Sequence, residues 1–234
     1  TASEQIAFDV NHRKTIDFNI GRYDKAVSAG MARYKNVEFA KDRAAAIKRE
    51  VLNNWEKYLI EFEENCRHNS TEVLWAKDDT EATQHIIRIL KENRATLLVK
   101  SKSMTTEEIE LNHTAESVGC ESIETDLGEF IVQVAGERPY HIVTPAMHKS
   151  KEDIAVLFHE KFGTPLDSTP EELTEYVRIL LRKKYTTADI GVTGANFLIA
   201  DIGGISVTEN EGNGLMTTAF PKVHIVIAGI EKII

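Results

Sequence analysis

The sequence has 234 residues, 42% of them hydrophobic and 28% charged, with a formal net charge of −9 at pH 7. This length and composition predict a globular chain with one large domain, or one domain and an appendage. Residues 1–50 hold ten Lys and Arg against seven Asp and Glu, whereas the remainder holds eighteen against thirty. The acidic main body argues against nucleic acid as a partner, because that binding depends on clustered basic side chains.

The chain begins with a helical region. Residues 9–69 carry alanines and charge pairs four residues apart, without the alternation of a strand. We interpret residues 1–70 as a helical arm that lies on the main domain or on a partner. An apolar stripe on one long helix favours burial against the chain itself, and its members are Ile47, Val51, Trp55, Tyr58, Leu59 and Phe62.

From residue 71 onward, strands and helices alternate. This alternation predicts βαβ units, and residues 71–234 are therefore expected to form an α/β domain with a mainly parallel open sheet. Strands are predicted at 72–76, 96–100, 121–124, 141–144, 188–192, 205–208 and 223–228, and helices at 80–92, 106–118, 127–135, 151–162 and 171–184.

Cysteine usage and hydropathy exclude further classes of protein. Cys66 and Cys120 have no CxxC partner, so we expect free thiols and no zinc or iron–sulfur site in this chain. The longest apolar run, residues 223–230, is far shorter than the roughly 18 residues of a membrane span. The N-terminal residues lack the apolar core of a secretory signal, so the expected compartment is the cytoplasm.

The first candidate site is the end of a predicted strand that runs into a helix. Lys100, Lys102 and Ser103 place two ammonium groups and a hydroxyl beside free backbone N–H groups, which suits a carboxylate or a phosphate. The alternative is helix capping, with Thr105 as the cap and Glu108 reaching back to it.

The second candidate site is the acidic end of the next strand. Glu124, Asp126 and Glu129 surround a glycine turn, and clustered acids shift one another's pKa and can act in proton transfer. The alternative is an acidic cap, with Asp126 at the start of the 127–135 helix and Glu129 as its partner.

The third candidate site lies between two apolar strands, where residues 191–214 combine glycines with amides and carboxylates. Tight turns explain the glycines, but not the number of hydrogen-bond acceptors beside buried strands. Because ligands of open α/β sheets bind at strand ends, we expect a ligand or catalytic site here. Its members are Asn196, Asp201, Glu209, Asn210, Glu211 and Asn213.

The histidines do not form a metal motif. His141 and His148 are separated by six residues, a spacing that matches no standard zinc site. His113 lies on a predicted helix and His224 in an apolar strand. A structural, hydrogen-bonded role is the expectation for each, and no metal site is predicted.

Taken together, these segments resemble the LUD domain of the lactate utilization protein B family of bacterial L-lactate oxidation proteins. Six stretches match in order, from the helical arm to the last residue, and that order is more specific than any single stretch. They are residues 100–104 with 107–109, 124–129, 145–148, 191–197, 210–213, and 221–225 with 229–232.

The resemblance implies an α/β fold of the ribose-phosphate isomerase and CoA-transferase type. It also implies a component of a complex that oxidises L-lactate to pyruvate with sister lactate-utilization subunits. Full-length members are expected to continue into a ferredoxin-like segment with cysteine runs. Iron–sulfur clusters are therefore expected in the full-length protein, and no cofactor in this chain.

In this interpretation a lysine pairs with the substrate carboxylate, and a carboxylate takes the hydroxyl proton. The alternatives are an independent isomerase or acyl-CoA transferase of the same fold, and a non-catalytic scaffold. The candidate catalytic residues are Glu124, Glu209 and Glu211, and the candidate substrate-binding residues are Lys100, Lys102, Ser103, Asn196, Asn210 and Asn213.

Overall fold

The computed structural model describes residues 8–140 and 144–234. These residues form an α/β structure with a mainly parallel sheet and N-terminal helices, as the sequence predicts. The helices are α1 Val10–Met31, α2 Val37–Asn53, α3 Trp55–His68, α4 Asp79–Glu92, α5 Met104–Glu108, α6 Leu111–Ser117, α7 Leu127–Ala135, α8 Lys151–Phe162, α9 Pro170–Thr187 and α10 Asn213–Ala219. The strands are β1 Leu97–Lys100, β2 Glu121–Glu124, β3 Ile190–Thr193, β4 Phe197–Ile199, β5 Gly204–Ser206 and β6 Val223–Val226.

The main sheet has the strand order β2-β1-β3-β6, and each neighbouring pair is parallel. The chain leaves β1 for β2 on one side and then returns past β1 to form β3 on the other side. Such a reversal of strand order opens a crevice at the carboxyl ends of the two strands concerned, here β1 and β3. Strands β4 and β5 form a separate antiparallel pair.

The chain divides into two compact units. The first unit comprises residues 1–46 and 128–176, and the second comprises residues 47–127 and 177–234. The two units are groups of residues that contact one another, and they do not test the domain boundary at residue 70. That boundary stays a prediction. The complete main sheet and all three candidate sites except Glu129 belong to the second unit.

Each unit has its own apolar packing. In the second unit, the strand residues Leu98, Ile190 and Val192 are buried against helices α4 and α6. In the first unit, Phe130 and Phe162 stack with ring centroids 6.2 Å apart. The apolar faces predicted from the sequence periodicity are therefore used to cover one side of the sheet and to join helices.

The predicted long helix is wrong in its continuity, because the arm consists of the three helices α1, α2 and α3. A break at Asn54 separates α2 from α3. Most of the apolar stripe nevertheless buries against its own chain, as expected, whereas Ile47 is exposed. Val51 and Phe62 pack in a cluster with Leu198 and Ile233 of the second unit.

The strand predicted at residues 72–76 is wrong, since these residues have no regular structure. Val73 packs into the cluster around α3, and the indole N–H of Trp75 donates to the carboxylate of Glu63 at 3.1 Å. The alternating apolar residues are therefore satisfied by helix contacts rather than by strand pairing.

The helix predicted at residues 106–118 is also wrong as a single element, because α5 and α6 are separate. Glu110 has φ of +51°, a left-handed conformation that interrupts the helical path. The cap is Ser103 rather than Thr105, and its hydroxyl accepts a hydrogen bond from the N–H of Thr106. The remaining predicted helices are confirmed within a few residues at their ends.

The predicted strand at 121–124 is confirmed with the same bounds, and those at 96–100, 188–192, 205–208 and 223–228 are confirmed with bounds that differ by one or two residues. The strand predicted at 141–144 falls mainly on residues 141–143, which lie outside the described residues, as does His141. No helix within residues 8–140 and 144–234 combines the length and apolar character needed to cross a membrane.

Candidate functional site at the carboxyl edge of the sheet

We call the side of the main sheet where its strands end the carboxyl edge, and it comprises residues 100–103, 124–127 and 193–196. The ends of β1 and β3 approach closely here. A Cβ atom added to Gly194 would lie 2.8 Å from the Ser103 hydroxyl oxygen, so this approach requires glycine. The crevice predicted by the strand order therefore begins between Ser103 and Gly194.

A buried ionic network lies at the end of β1. The Lys100 side chain has no exposed surface, and its ammonium group lies 2.8 Å from the Glu124 carboxylate. It also pairs with Glu107 and donates to the Thr106 hydroxyl at 2.9 Å. The Asn112 amide donates to Glu124 at 2.8 Å. These contacts give Lys100 and Glu124 a role in the structure, and their assignment to substrate and to catalysis stays a prediction.

Lys102 lies two residues further along and is in a different environment. Its ammonium group is 3.3 Å from the Asp126 carboxylate, and 28% of its side chain is exposed. Asp126 itself is buried. Because more than a quarter of its side chain is exposed, an anion can approach Lys102 from solvent.

Glu211 brings a second carboxylate to the Lys102–Asp126 pair. Partial burial of its carboxyl group and the charge of Asp126 raise the pKa of Glu211, with a further contribution from Glu209. A hydrogen bond from the backbone N–H of Leu127 and the charge of Lys102 oppose this increase. Glu211 remains an exposed residue, so its carboxyl group can exchange a proton with solvent or with a ligand.

Glu209 holds the segment that carries Glu211. Its carboxylate accepts hydrogen bonds from the backbone N–H groups of Gly214 and Leu215 at the start of α10. A side chain at position 214 would not fit, because an added Cβ atom would lie 2.8 Å from the Glu209 oxygen. Glu209 therefore fixes the loop between β5 and α10, and its catalytic role stays a prediction.

Four of the predicted ligand contacts lie in this region. The Asn196 side-chain oxygen accepts from the Thr208 N–H at 2.6 Å. Asn213 is buried at the start of α10, Asn210 is exposed, and Ser103 caps α5. Their contribution to ligand binding stays a prediction.

Tyr185 is part of this region and was not among the residues predicted from the sequence. It is buried, which raises the pKa of its hydroxyl, whereas hydrogen bonds with Thr125 and Thr217 oppose the increase. The hydroxyls of Thr125 and Thr217 also lie 3.4 Å apart. A tyrosine at the end of the apolar stripe Leu181–Tyr185 was the available signal, because a buried tyrosine hydroxyl needs polar neighbours.

The sequence-predicted residues thus separate into two groups. Lys102, Glu209 and Glu211 share one electrostatic environment around Asp126, whereas Lys100 and Glu124 belong to the buried network. The first group offers an ammonium group for a carboxylate and a carboxyl group with a raised pKa for proton transfer.

The histidine and cysteine positions are consistent with structural roles. The His224 ring nitrogen lies 2.8 Å from the Thr193 hydroxyl, and burial lowers the pKa of His224. Within the part of the chain that the structure describes, no group of three or more His, Cys, Asp or Glu residues is arranged to hold a metal ion.

The two cysteines do not fit an iron–sulfur cluster. Cys66 packs with α3 and the C-terminal residues, whereas Cys120 packs in the core beside β1. Burial raises the pKa of both thiols, that of Cys120 to about 11. Iron–sulfur clusters bind thiolates in groups, and two separate protonated thiols do not provide such a group.

The geometry defines a class of protein: an α/β domain with a parallel sheet whose strand ends carry most of the predicted site residues. Comparison with known families then gives the particular family. The family model described as the LUD domain matches residues 59–234. The chain therefore belongs to the LUD domain family, which confirms the resemblance seen in the sequence.

Several curated relatives are similar over most of this chain. Lactate utilization protein B of Bacillus pumilus is 42% identical over 213 residues, which cover 91% of this chain and 45% of that protein. The protein of the same name from Lysinibacillus sphaericus is 49% identical over 189 residues, 80% of this chain and 40% of that protein. An Escherichia coli protein named uncharacterized electron transport protein YkgF is 41% identical over 193 residues, 82% of this chain and 41% of that protein.

The chain thus spans less than half of the length of these relatives. No solved structure gave a significant match.

Proposed function

We propose that this chain is a domain of a lactate-utilization protein and binds a small carboxylate at the carboxyl edge of its sheet. The names of the relatives support the lactate-utilization part of this proposal. The name of the Escherichia coli relative supports a link to electron transport. We further propose that the domain acts in the cytoplasm with sister subunits of a complex that oxidises L-lactate to pyruvate.

The observation that carries the binding site is the partly exposed Lys102 side chain, which lies beside Asp126 and beside a Glu211 carboxyl group with a raised pKa. Asp126 pairs with Lys102 at 3.3 Å, and the Glu211 carboxyl group has a raised pKa. In the proposed complex, Lys102 binds the carboxylate of lactate or pyruvate, and Glu211 exchanges the hydroxyl proton.

The oxidation itself needs a further component. Conversion of lactate to pyruvate breaks one O–H and one C–H bond, forms a carbonyl bond, and releases two protons and two electrons. The described residues offer a group for a proton, and the proposal therefore assigns the electrons to a redox group on a partner or on another segment of the full-length protein.

A thermal-shift experiment on this chain tests the proposal. The ligands are L-lactate, D-lactate, pyruvate, ribose 5-phosphate and coenzyme A. A ligand that binds only the folded state at 100 times its Kd adds about 2.7 kcal/mol of stability. We expect L-lactate or pyruvate to raise the melting temperature, and the Lys102→Ala variant to lose most of that increase.

The matched control is Lys184→Ala. Lys184 has the same side-chain exposure of 28%, and it pairs with Glu121 at 2.7 Å where β2 begins rather than where it ends. This variant should retain the increase. Stabilisation by ribose 5-phosphate or coenzyme A alone would favour an isomerase or a transferase and overturn the proposal, and a lack of stabilisation by all five ligands would overturn the binding site.

A further inference from the structure

A second group of titratable side chains lies in the first unit. It is formed by His12 at the start of α1 and by four residues between α7 and α8, which are Glu137, Tyr140, His148 and Lys149. We call these five residues the histidine cluster. The loop is tied to α1 by a hydrogen bond from the Asn19 amide to the Met147 carbonyl oxygen, at 2.9 Å.

Glu137 selects the tautomer of the neutral His148 ring. Its carboxylate lies 2.7 Å from His148 Nε2 and accepts a hydrogen bond from the Lys149 ammonium group at 2.8 Å. Partial burial alone would raise the pKa of Glu137, but the hydrogen bonds from Lys149 and His148 outweigh it and lower the pKa. An ionised Glu137 needs a donor at His148 Nε2, so the neutral ring carries its proton there and presents a lone pair at Nδ1.

That lone pair is not used by the described residues. His148 Nδ1 is buried, and it has no hydrogen-bond partner within residues 8–140 and 144–234. The His148 side chain as a whole is 13% exposed. A buried acceptor without a donor is energetically costly, so a bound donor at this position is favourable.

Aromatic rings hold the His148 ring in place. Tyr140 stacks on it with centroids 5.1 Å apart and an interplanar angle of 30°. The Tyr140 hydroxyl in turn lies 3.1 Å from His12 Nε2. The His148 ring is therefore oriented by Glu137 at one nitrogen and by Tyr140 on one face, as a ring that recognises a ligand through its other nitrogen should be.

We propose that the histidine cluster is a second ligand site, in which His148 Nδ1 accepts a hydrogen bond from the hydroxyl group of a small 2-hydroxy acid. Lys149 makes one hydrogen bond to Glu137 among the described residues, and its remaining N–H donors are available to the acid's carboxylate. The choice of a 2-hydroxy acid rests on the proposed function, whereas the position of the site rests on the His148 geometry alone.

The test is a side-chain ¹⁵N spectrum of the histidine rings, recorded on the whole chain with L-lactate and with propionate. Propionate has the same charge and carbon skeleton but no hydroxyl group. We expect L-lactate to move the Nδ1 signal of His148 toward the position of a hydrogen-bonded nitrogen, and propionate to leave it unchanged. The His148→Phe variant assigns the signal by removing it.

His159 provides an internal control in the same unit. Its Nδ1 atom lies 2.7 Å from the Thr164 carbonyl oxygen, so that nitrogen is the donor and carries the proton. Its signals should not respond to either acid. An equal response of His148 to both acids, or no response of His148 to L-lactate, would overturn the proposal.

The Lys102→Ala variant separates this inference from the proposed function. If only the proposed carboxyl-edge site is wrong, wild type and Lys102→Ala are stabilised equally by L-lactate. The His148 signal of Lys102→Ala then still responds to L-lactate. If the histidine cluster alone fails, the Lys102-dependent stabilisation persists and the His148 signal stays fixed.

Discussion

The region where the strands of the main sheet begin and the carboxyl edge, where they end, carry similar charged residues. Their charges have different roles. Where the strands begin, the Asp189 carboxylate accepts hydrogen bonds from the Thr96 N–H at 2.7 Å, the Thr96 hydroxyl at 3.0 Å and the Leu97 N–H at 3.1 Å. These bonds, chiefly the one from the Thr96 N–H, lower the pKa of Asp189. They join the start of β1 to the start of β3, so the charge is used to hold the sheet.

Where the strands end, carboxyl groups lie together instead of being separated. Burial and the charges of Asp126 and Glu209 raise the pKa of Glu211, and the Leu127 N–H bond and the charge of Lys102 only partly offset them. Lys102 and Lys184 have equal exposure and each pairs with a carboxylate, and the charge of Lys102 also acts on Glu211. We therefore predict a site at the ion pair that lies beside a perturbed carboxyl group and none at the Lys184 pair.

The largest expected effect is a difference in stability between substitutions of two lysines at the end of β1. Lys100→Met leaves Glu107 and Glu124 without their buried cation, and we expect it to lower the free energy of unfolding by about 3–5 kcal/mol. Lys102→Met should cost less than about 1 kcal/mol, because its ion pair is partly exposed. Urea denaturation measures both values, and equal losses would contradict the distinction between the buried network and the site.

The next effect tests the edge where the strands begin. Asp189→Ala removes three hydrogen bonds to the start of β1, and we expect a loss of about 1–3 kcal/mol at pH 7. Because the folded pKa of Asp189 is lowered, its contribution is complete above its ordinary pKa of about 3.9 and is lost as the pH falls through the folded value.

The difference between the wild type and Asp189→Ala should therefore narrow below about pH 4. Denaturation at pH 7 and at pH 3 measures this change. Asp189→Asn keeps an acceptor without the charge and should lose less stability than Asp189→Ala. A difference that widens in acid would show that the carboxylate does not hold the sheet.

The smallest expected effect has the opposite sign. The folded pKa of Glu211 is raised, so ionisation of this carboxyl group is harder in the folded state than in the unfolded chain. Its unfavourable contribution is absent below the ordinary pKa of about 4.3 and complete above the folded value. Glu211→Gln should therefore stabilise the chain by a few tenths of a kcal/mol at pH 7 and have no effect at pH 3.5, because solvent screens this exposed group.

The matched substitution where the strands begin is Glu121→Gln. It removes the partner of Lys184 and should leave stability at pH 7 unchanged or slightly lower. Denaturation curves of the two variants at both pH values make the comparison. A gain in stability for Glu121→Gln equal to that for Glu211→Gln would remove the difference between the two edges.

The sequence predicted most of the elements but not the connections of the arm or the contacts of the site. Alternating strand and helix patterns identified β1, β2, β3 and β6 correctly, and β1, β3 and β6 are the largely apolar runs typical of buried parallel strands. The break at Glu110 was missed, since a left-handed residue other than glycine leaves no clear mark in a sequence.

For the candidate site, residue types at strand ends indicated Lys102 and Glu211, but they also indicated Lys100 and Glu124 with equal strength. Burial separates these pairs, and burial depends on how α5 and α6 cover the end of β1. Tyr185 was missed because it lies on α9, outside every motif, although it lies beside Thr125 and Thr217 in the fold.

The most direct test of the difference between the edges is a ¹H–¹⁵N correlation spectrum of the assigned chain during titration with pyruvate. We predict saturable shifts of the backbone amides of Lys102, Leu127 and Gly194, and no shifts of those of Thr96 and Asp189. The shifts should disappear in Lys102→Ala and persist in Lys184→Ala. Equal shifts at both edges, or shifts that survive Lys102→Ala, would contradict a carboxylate site at the carboxyl edge.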